Sequence, residues 1–190
     1  MKKIIERSFN DSVELKKCIL NDEVLVEKIF EASQLIHIAF KNGKKVLFCG
    51  NGGSASDAQH LAAEFSGRFY KDRKALPSEA LHCNTSYLTA VGNDYGFEFV
   101  YSRIIEGIGT SGDILVGIST SGNSQNIINA LNSAKKVGMS TISFTGETGG
   151  KMKNYSDLLI NVPSSDTPRI QEAHILIGHT ICEIVENELF

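Results

Sequence analysis

Two hydrophobic rhythms run along the chain. Residues 2–20 and 22–42 carry apolar side chains at helical spacing, and Asn21-Asp22 between them reads as a break and an N-cap. In the second stretch Val24, Ile29, Leu35, Ile36 and Phe40 supply much of the expected apolar face. From Lys44 the pattern changes to short apolar run, polar loop, helix. Val46–Cys49 predicts a strand stopped by Gly50-Asn51-Gly52-Gly53, and 54–70 predicts a helix. Ala80–Cys83 predicts a weaker strand, followed by a helix to about Val91 and another over 97–108. Ile114–Ile118 is a clear strand ended by Ser119-Thr120-Ser121-Gly122, with a helix from Ser124 to Val137. Strands at 141–144 and 158–162 follow, and Thr167-Pro168 opens a long last helix as cap and first-turn residues.

Continuously apolar strands alternating with helices predict an α/β fold. We expect a three-layer αβα sandwich around a five-stranded parallel sheet, with two helices ahead of the first strand. The chain has only three prolines and no low-complexity linker, so residues 1–190 are expected to form one domain that includes the helical pair 1–42. Ligands of such sheets bind beyond the carboxyl ends of the strands, and both glycine- and serine-rich loops fall there.

Composition narrows the function classes. Apolar residues make up 42% and charged residues 22%, as in a folded globular protein, and the net charge is −3. That charge lacks the basic field of a nucleic-acid binder or a membrane-surface protein, and Lys71-Asp72-Arg73-Lys74 is a short cluster interrupted by acid. Glu6, Arg7, Asp11 and Glu14 break up any signal-like run, and no stretch approaches a membrane span. Cys18, Cys49, Cys83 and Cys182 are widely spaced. Cys49 and Cys83 end apolar runs, so both are expected to be small buried residues in a reducing compartment. A cytoplasmic protein without nucleic-acid or membrane partners is expected.

Ser119-Thr120-Ser121-Gly122-Asn123-Ser124 joins a strand end to a helix start. Hydroxyls, loop amides and a helix N-terminus can together hold a phosphate, although the same residues also suit an ordinary serine-capped turn. The loop has no lysine, which fits a sugar monophosphate better than a nucleoside triphosphate. No nucleotide cofactor is expected: Ala55 occupies the third glycine position of a dinucleotide loop, and Gly146–Lys151 has the wrong spacing for a phosphate-loop lysine. On the helix after the first loop, His60 and Glu64 stand four apart and share a face. Such a pair serves as a helix-stabilising contact or, if a carboxylate base is needed, as catalytic machinery.

Gly50–Ala58 together with Ser119–Ser124 resembles the sugar isomerase (SIS) domain. More narrowly, with Gly67-Arg68, Val91–Phe97 and Arg169–Glu172, the chain is similar over almost its whole length to the phosphoheptose isomerase family. The resemblance implies interconversion of sedoheptulose 7-phosphate and D-glycero-D-manno-heptose 7-phosphate through an enediol. This is the first step toward nucleotide-activated heptose for surface polysaccharide. It also implies a homotetramer with sites at subunit boundaries.

In that family Glu64 is the base and His179 its acid–base partner, while His60, Glu64, Gln171 and His179 bind one zinc ion per subunit. Asn51, Gly52, Gly53, Ser54, Asn93, Asp94, Ser119, Thr120, Ser121, Ser124 and Gln171 carry over as substrate-binding positions. Asp166 is a further residue near the site and Arg68 a supporting one. Gln171 and His179 are eight residues apart, about 12 Å along one helix, so a shared ion must lie between them or draw on a neighbouring subunit. His174 has no matching role and is expected to be structural. A related non-catalytic branch binds a phosphosugar or a DNA-replication initiator and lacks the His, Glu and His set. That branch is the alternative to an enzyme.

Overall fold

The computed structural model describes residues 1–190. Two helices, α1 (Lys2–Leu20) and α2 (Glu23–Lys41), precede β1 (Val46–Gly50) and α3 (Gly53–Ser66). Then come β2 (Ser78–Ala80), α4 (Thr85–Asp94), α5 (Val100–Ile108), β3 (Ile114–Ile118), α6 (Gln125–Lys136), β4 (Ser140–Thr145), β5 (Leu158–Asn161) and α7 (Thr167–Leu189). The five strands form one sheet in the order β2-β1-β3-β4-β5. Every pairing is parallel; Val46 sits opposite both Ser78 and Ile114.

Alternate strand residues feed two cores, which makes the three layers. Val46, Phe48, Val116, Ile142 and Phe144 face a core closed by α1, α2, α3 and α7. Leu47, Cys49 and Leu115 face the opposite way, onto α4, α5 and α6. This is the αβα sandwich expected from the continuous apolar strands. From β1 the chain moves outward to β2 and then returns across to β3. The carboxyl ends of β1 and β3 therefore flank the point where the winding reverses.

Several local expectations are corrected. In α2 the Asp22 side chain accepts from the Leu25 amide, and Leu25, Ala32, Ile36, Ala39 and Phe40 are buried. Val24 lies outside that stripe, one position out of phase, and is exposed. Helix α3 stops at Ser66 rather than 70, because the amides of Phe69, Tyr70 and Lys71 donate to the Glu186 carboxylate instead of continuing the helix. Strand β2 is Ser78–Ala80 rather than 80–83: the ladder to β1 ends at Ala80, and the chain then turns, leaving Cys83 exposed rather than buried. Residues 97–99 form a 3-10 turn, and α5 begins where the buried face begins, at Val100. At α7 the cap position falls on Asp166, whose side chain makes no capping bond.

The Arg73–Glu186 pair is buried at both ends. Burial alone would raise the Glu186 carboxyl, yet three backbone amides and Arg73 hold it below the usual carboxylate range. Arg73 also donates to the carbonyls of Glu64, Phe65 and Gly67, acceptors left open where α3 ends. No helix is long and apolar enough to cross a membrane.

Candidate active site

At the reversal point the loops after β1 and β3 enclose a cavity of about 260 Å3. Asn51, Ser54, Ser119, Thr120, Ser121, Ser124, Thr167 and Gln171 line it. Ser119 Oγ lies 2.9 Å from Ser124 Oγ and 3.4 Å from Ser121 Oγ, so three hydroxyls converge. Ser124 occupies the cap position of α6 but its side chain makes no capping bond. Its hydroxyl and the first amides of α6 both remain available to an anion.

Glycine is required in the serine loop, and a second glycine lies in close contact with α7. Gly122 has φ +64°, and a Cβ there would meet the Gly149 carbonyl oxygen at 2.3 Å. The loop leans on 149–152: the Met152 amide donates to Gly122 and the Lys151 amide to the Asn123 side chain. Gly53 lies against Gln171, whose Nε2 would be 2.3 Å from a Cβ at that position.

Helices α3 and α7 carry the second group. His60 Nε2 and Glu64 Oε1 are 2.9 Å apart, and the His60 and His179 ring centroids are 4.9 Å apart. One donor atom from each of His60, Glu64 and His179 lies within 4.8 Å of the others. Burial lowers the His179 pKa, the charge of His60 lowers it further and Glu64 opposes both. Its Nε2 is buried without a hydrogen-bond partner. A neutral imidazole with a free nitrogen can accept a proton or ligate a metal. Two imidazoles and a carboxylate at this spacing suit a divalent transition metal with a fourth position open.

The structure sorts the expected residues into groups. Asn51, Ser54, Ser119, Thr120, Ser121, Ser124 and Gln171 meet at the cavity, with Gly52 and Gly53 at its rim where α3 begins. His60, Glu64 and His179 meet two turns further along α3. Gln171 reaches the cavity wall, where its side chain lies against Gly53. Asn93 and Asp94 lie apart, exposed at the end of α4, where the Asn93 amide donates to Asp94. Arg68 is exposed beyond α3, and Asp166 is exposed at the start of α7. His174 is buried, and its Nε2 lies 3.0 Å from the Thr145 carbonyl.

Three contributors escaped the sequence reading. Asn126 is buried and exchanges two 2.9 Å hydrogen bonds with Asn51, fixing that side chain at the cavity. Thr167 lines the cavity, and Tyr101 donates to the Gly50 carbonyl at 2.6 Å, anchoring the first loop from below. Only the Asn-rich run around 123–129 hinted at the first of these.

A serine-lined anion cavity at the reversal point of a five-stranded parallel sheet defines an SIS-domain protein, and the SIS domain family profile matches residues 12–146. Among curated proteins the chain is 54% identical to a phosphoheptose isomerase of Clostridium acetobutylicum over 190 residues, covering 100% of this chain and 97% of that protein. It is 50% identical to one from Aneurinibacillus thermoaerophilus, covering 100% and 96%. The solved phosphoheptose isomerase of Neisseria gonorrhoeae superposes with a TM-score of 0.92 at 43% identity, covering 98% of each chain. The chain belongs to the phosphoheptose isomerase family and is a phosphosugar isomerase.

Proposed function

We propose that this chain interconverts sedoheptulose 7-phosphate and D-glycero-D-manno-heptose 7-phosphate. The observation that carries the reading is that a serine-lined cavity and a His–Glu–His cluster both draw on the same two helices, α3 and α7. The hydroxyls of Ser119, Ser121 and Ser124, Thr120 and the start of α6 hold the phosphate. Asn51, Ser54 and Gln171 orient the sugar from the cavity wall.

Glu64 takes the proton from the carbon beside the carbonyl and returns it to the neighbouring carbon, passing through an enediol. His179, kept neutral by burial, exchanges the matching protons on the two oxygens. His60 holds Glu64 through their 2.9 Å contact. His60, Glu64 and His179, with Gln171 as the resemblance implies, are the residues that would hold a zinc ion, which when bound supplies Lewis-acid polarisation of the carbonyl. Gln171 also serves the substrate from the cavity wall.

Asn93, Asp94, Arg68 and Asp166 join the site through assembly into a homotetramer, with sites at subunit boundaries. The four cysteines are free thiols, which supports a cytoplasmic setting, and the product feeds heptose synthesis for surface polysaccharide. The triad favours this reading over a non-catalytic regulator.

Incubation with sedoheptulose 7-phosphate, followed by NMR, is expected to show an aldose product. Glu64→Gln should cut turnover about a thousandfold with folding unchanged. A wild-type protein that leaves the ketose untouched would sink the reading. Elemental analysis should find metal in the wild type and little in His60→Ala; active protein that is metal-free and indifferent to chelation would remove zinc from it.

A further inference from the structure

Asn51 is the first residue beyond β1, and it lines the serine cavity. Its backbone is held from two sides. Tyr101 donates to the Gly50 carbonyl at 2.6 Å, and the Asn51 carbonyl accepts from the Ser54 amide at 3.0 Å. Its side chain is held by Asn126, which is 3% exposed in the first turn of α6. The two side-chain amides form a closed pair. Asn51 Nδ2 donates to Asn126 Oδ1 and Asn126 Nδ2 donates to Asn51 Oδ1, both at 2.9 Å.

A closed pair of amides is equally well bonded when both groups are turned over, donor for acceptor. A third contact breaks that symmetry. The Ile127 N–H, besides reaching the Ser124 carbonyl at 3.1 Å, meets Asn126 Oδ1 at 3.0 Å. A backbone N–H only donates, so the atom it meets must be the amide oxygen. Asn126 then turns its nitrogen to Asn51, and Asn51 must answer with its own oxygen. The backbone of α6 thus dictates, through Asn126, which way round the Asn51 amide lies. The pair uses one N–H and one oxygen lone pair of Asn51, and leaves one of each at fixed positions. A sugar hydroxyl, which both donates and accepts, can use the two together; an ionised phosphate oxygen can use only the N–H.

We propose that Asn126 is a positioning residue, which fixes the Asn51 amide so that its spare donor and acceptor are aligned on a hydroxyl of the phosphosugar. The inference rests on the isomerase reading for the placing of Asn51 against the sugar. Asn126 acts through Asn51, so its effect is felt by polyol phosphates. Inorganic phosphate, held by the serine hydroxyls and the start of α6, gains little from it.

The test is calorimetric titration of the wild type, Asn126→Leu, Asn51→Ala and the double variant with two non-reacting ligands, heptitol 7-phosphate and inorganic phosphate. Asn126→Leu keeps the side-chain size and removes both bonds. It should weaken heptitol phosphate about three- to tenfold and leave inorganic phosphate within about twofold. A merely structural role would loosen the start of α6 and weaken both ligands alike. The double variant should lose no more than about twofold beyond Asn51→Ala alone, because the two residues act as one unit. Asn126→Ala replaces the leucine variant if thermal unfolding shows that variant to be unfolded. A measurement on the wild type needs neither: by NMR the Asn51 side-chain amide should exchange its protons with water more slowly than that of exposed Asn21. Equal losses for both ligands, losses that multiply in the double variant, unchanged heptitol phosphate affinity, or exchange as fast as at Asn21 would each overturn the assignment. Failure of the isomerase reading shows separately, as absent turnover of sedoheptulose 7-phosphate by a wild type that still binds the heptitol phosphate.

Discussion

His174 and His179 lie five residues apart on α7 and meet different surroundings. His179 stands at the site with an unpartnered Nε2, whereas the His174 ring is fully buried, its Nε2–H donating to the Thr145 carbonyl and its Nδ1 unpartnered. Burial pushes His174 down from 6.5 to about 4, with the carbonyl contact opposing. The unfolded chain takes up this proton first as pH falls. The associated stability is therefore complete above pH 6.5 and is lost as pH drops toward 4. At 1.36 kcal/mol per pH unit the loss is roughly 3 kcal/mol. Urea unfolding at pH 7, 5 and 4 should show the decline in the wild type and a flatter profile in His174→Gln. An equally steep decline in the variant would assign the proton uptake elsewhere. The resemblance assigns His174 no role, and neither its Thr145 contact nor the differing surroundings of two imidazoles on one helix is visible in the sequence.

At the scale of elements, the loop after α3 is held from the far end of the chain. Glu186 accepts from three successive amides and from Arg73, and Arg73 in turn covers carbonyls at the end of the helix bearing Glu64. Glu186→Gln should cost about 3–5 kcal/mol, because it leaves the Arg73 cation buried without its partner. Chemical denaturation with a midpoint unchanged from wild type would show that the pair is not structural. Partnerships of this length explain where pattern reading stopped. Continuous apolar runs revealed four strands closely and β2 only at Ala80, since such runs depend on neighbours in sequence. The early end of α3, the outward turn at Cys83 and the Asn51–Asn126 clasp depend on residues 30 to 120 positions away, and nothing local signals them. The contact of Gln171 with Gly53 likewise depends on the packing of α7 beside α3, more than a hundred positions apart in sequence.

On the whole molecule, α1 and α2 expose a run of large apolar side chains, with Phe9 at 71%, Ile5 at 59% and Phe30 at 47%. A helical pair that buries one stripe and shows another to solvent is suited to meeting copies of itself. Sedimentation should find a tetramer, and Ile5→Glu with Phe9→Glu should shift it to smaller species with reduced turnover. A wild type that sediments as a monomer while fully active would refute the assembled site.

Pairing α3 with α7 also sets an order in time. The phosphate loop and Glu64 emerge early in synthesis, but the imidazole at 179 arrives with the last helix made, and it meets its partners only when that helix docks beside the first crossover. A nascent or clipped chain without that helix lacks Thr167 and Gln171 from the cavity wall as well as the His179 imidazole. Both halves of the site thus wait for the tail to dock.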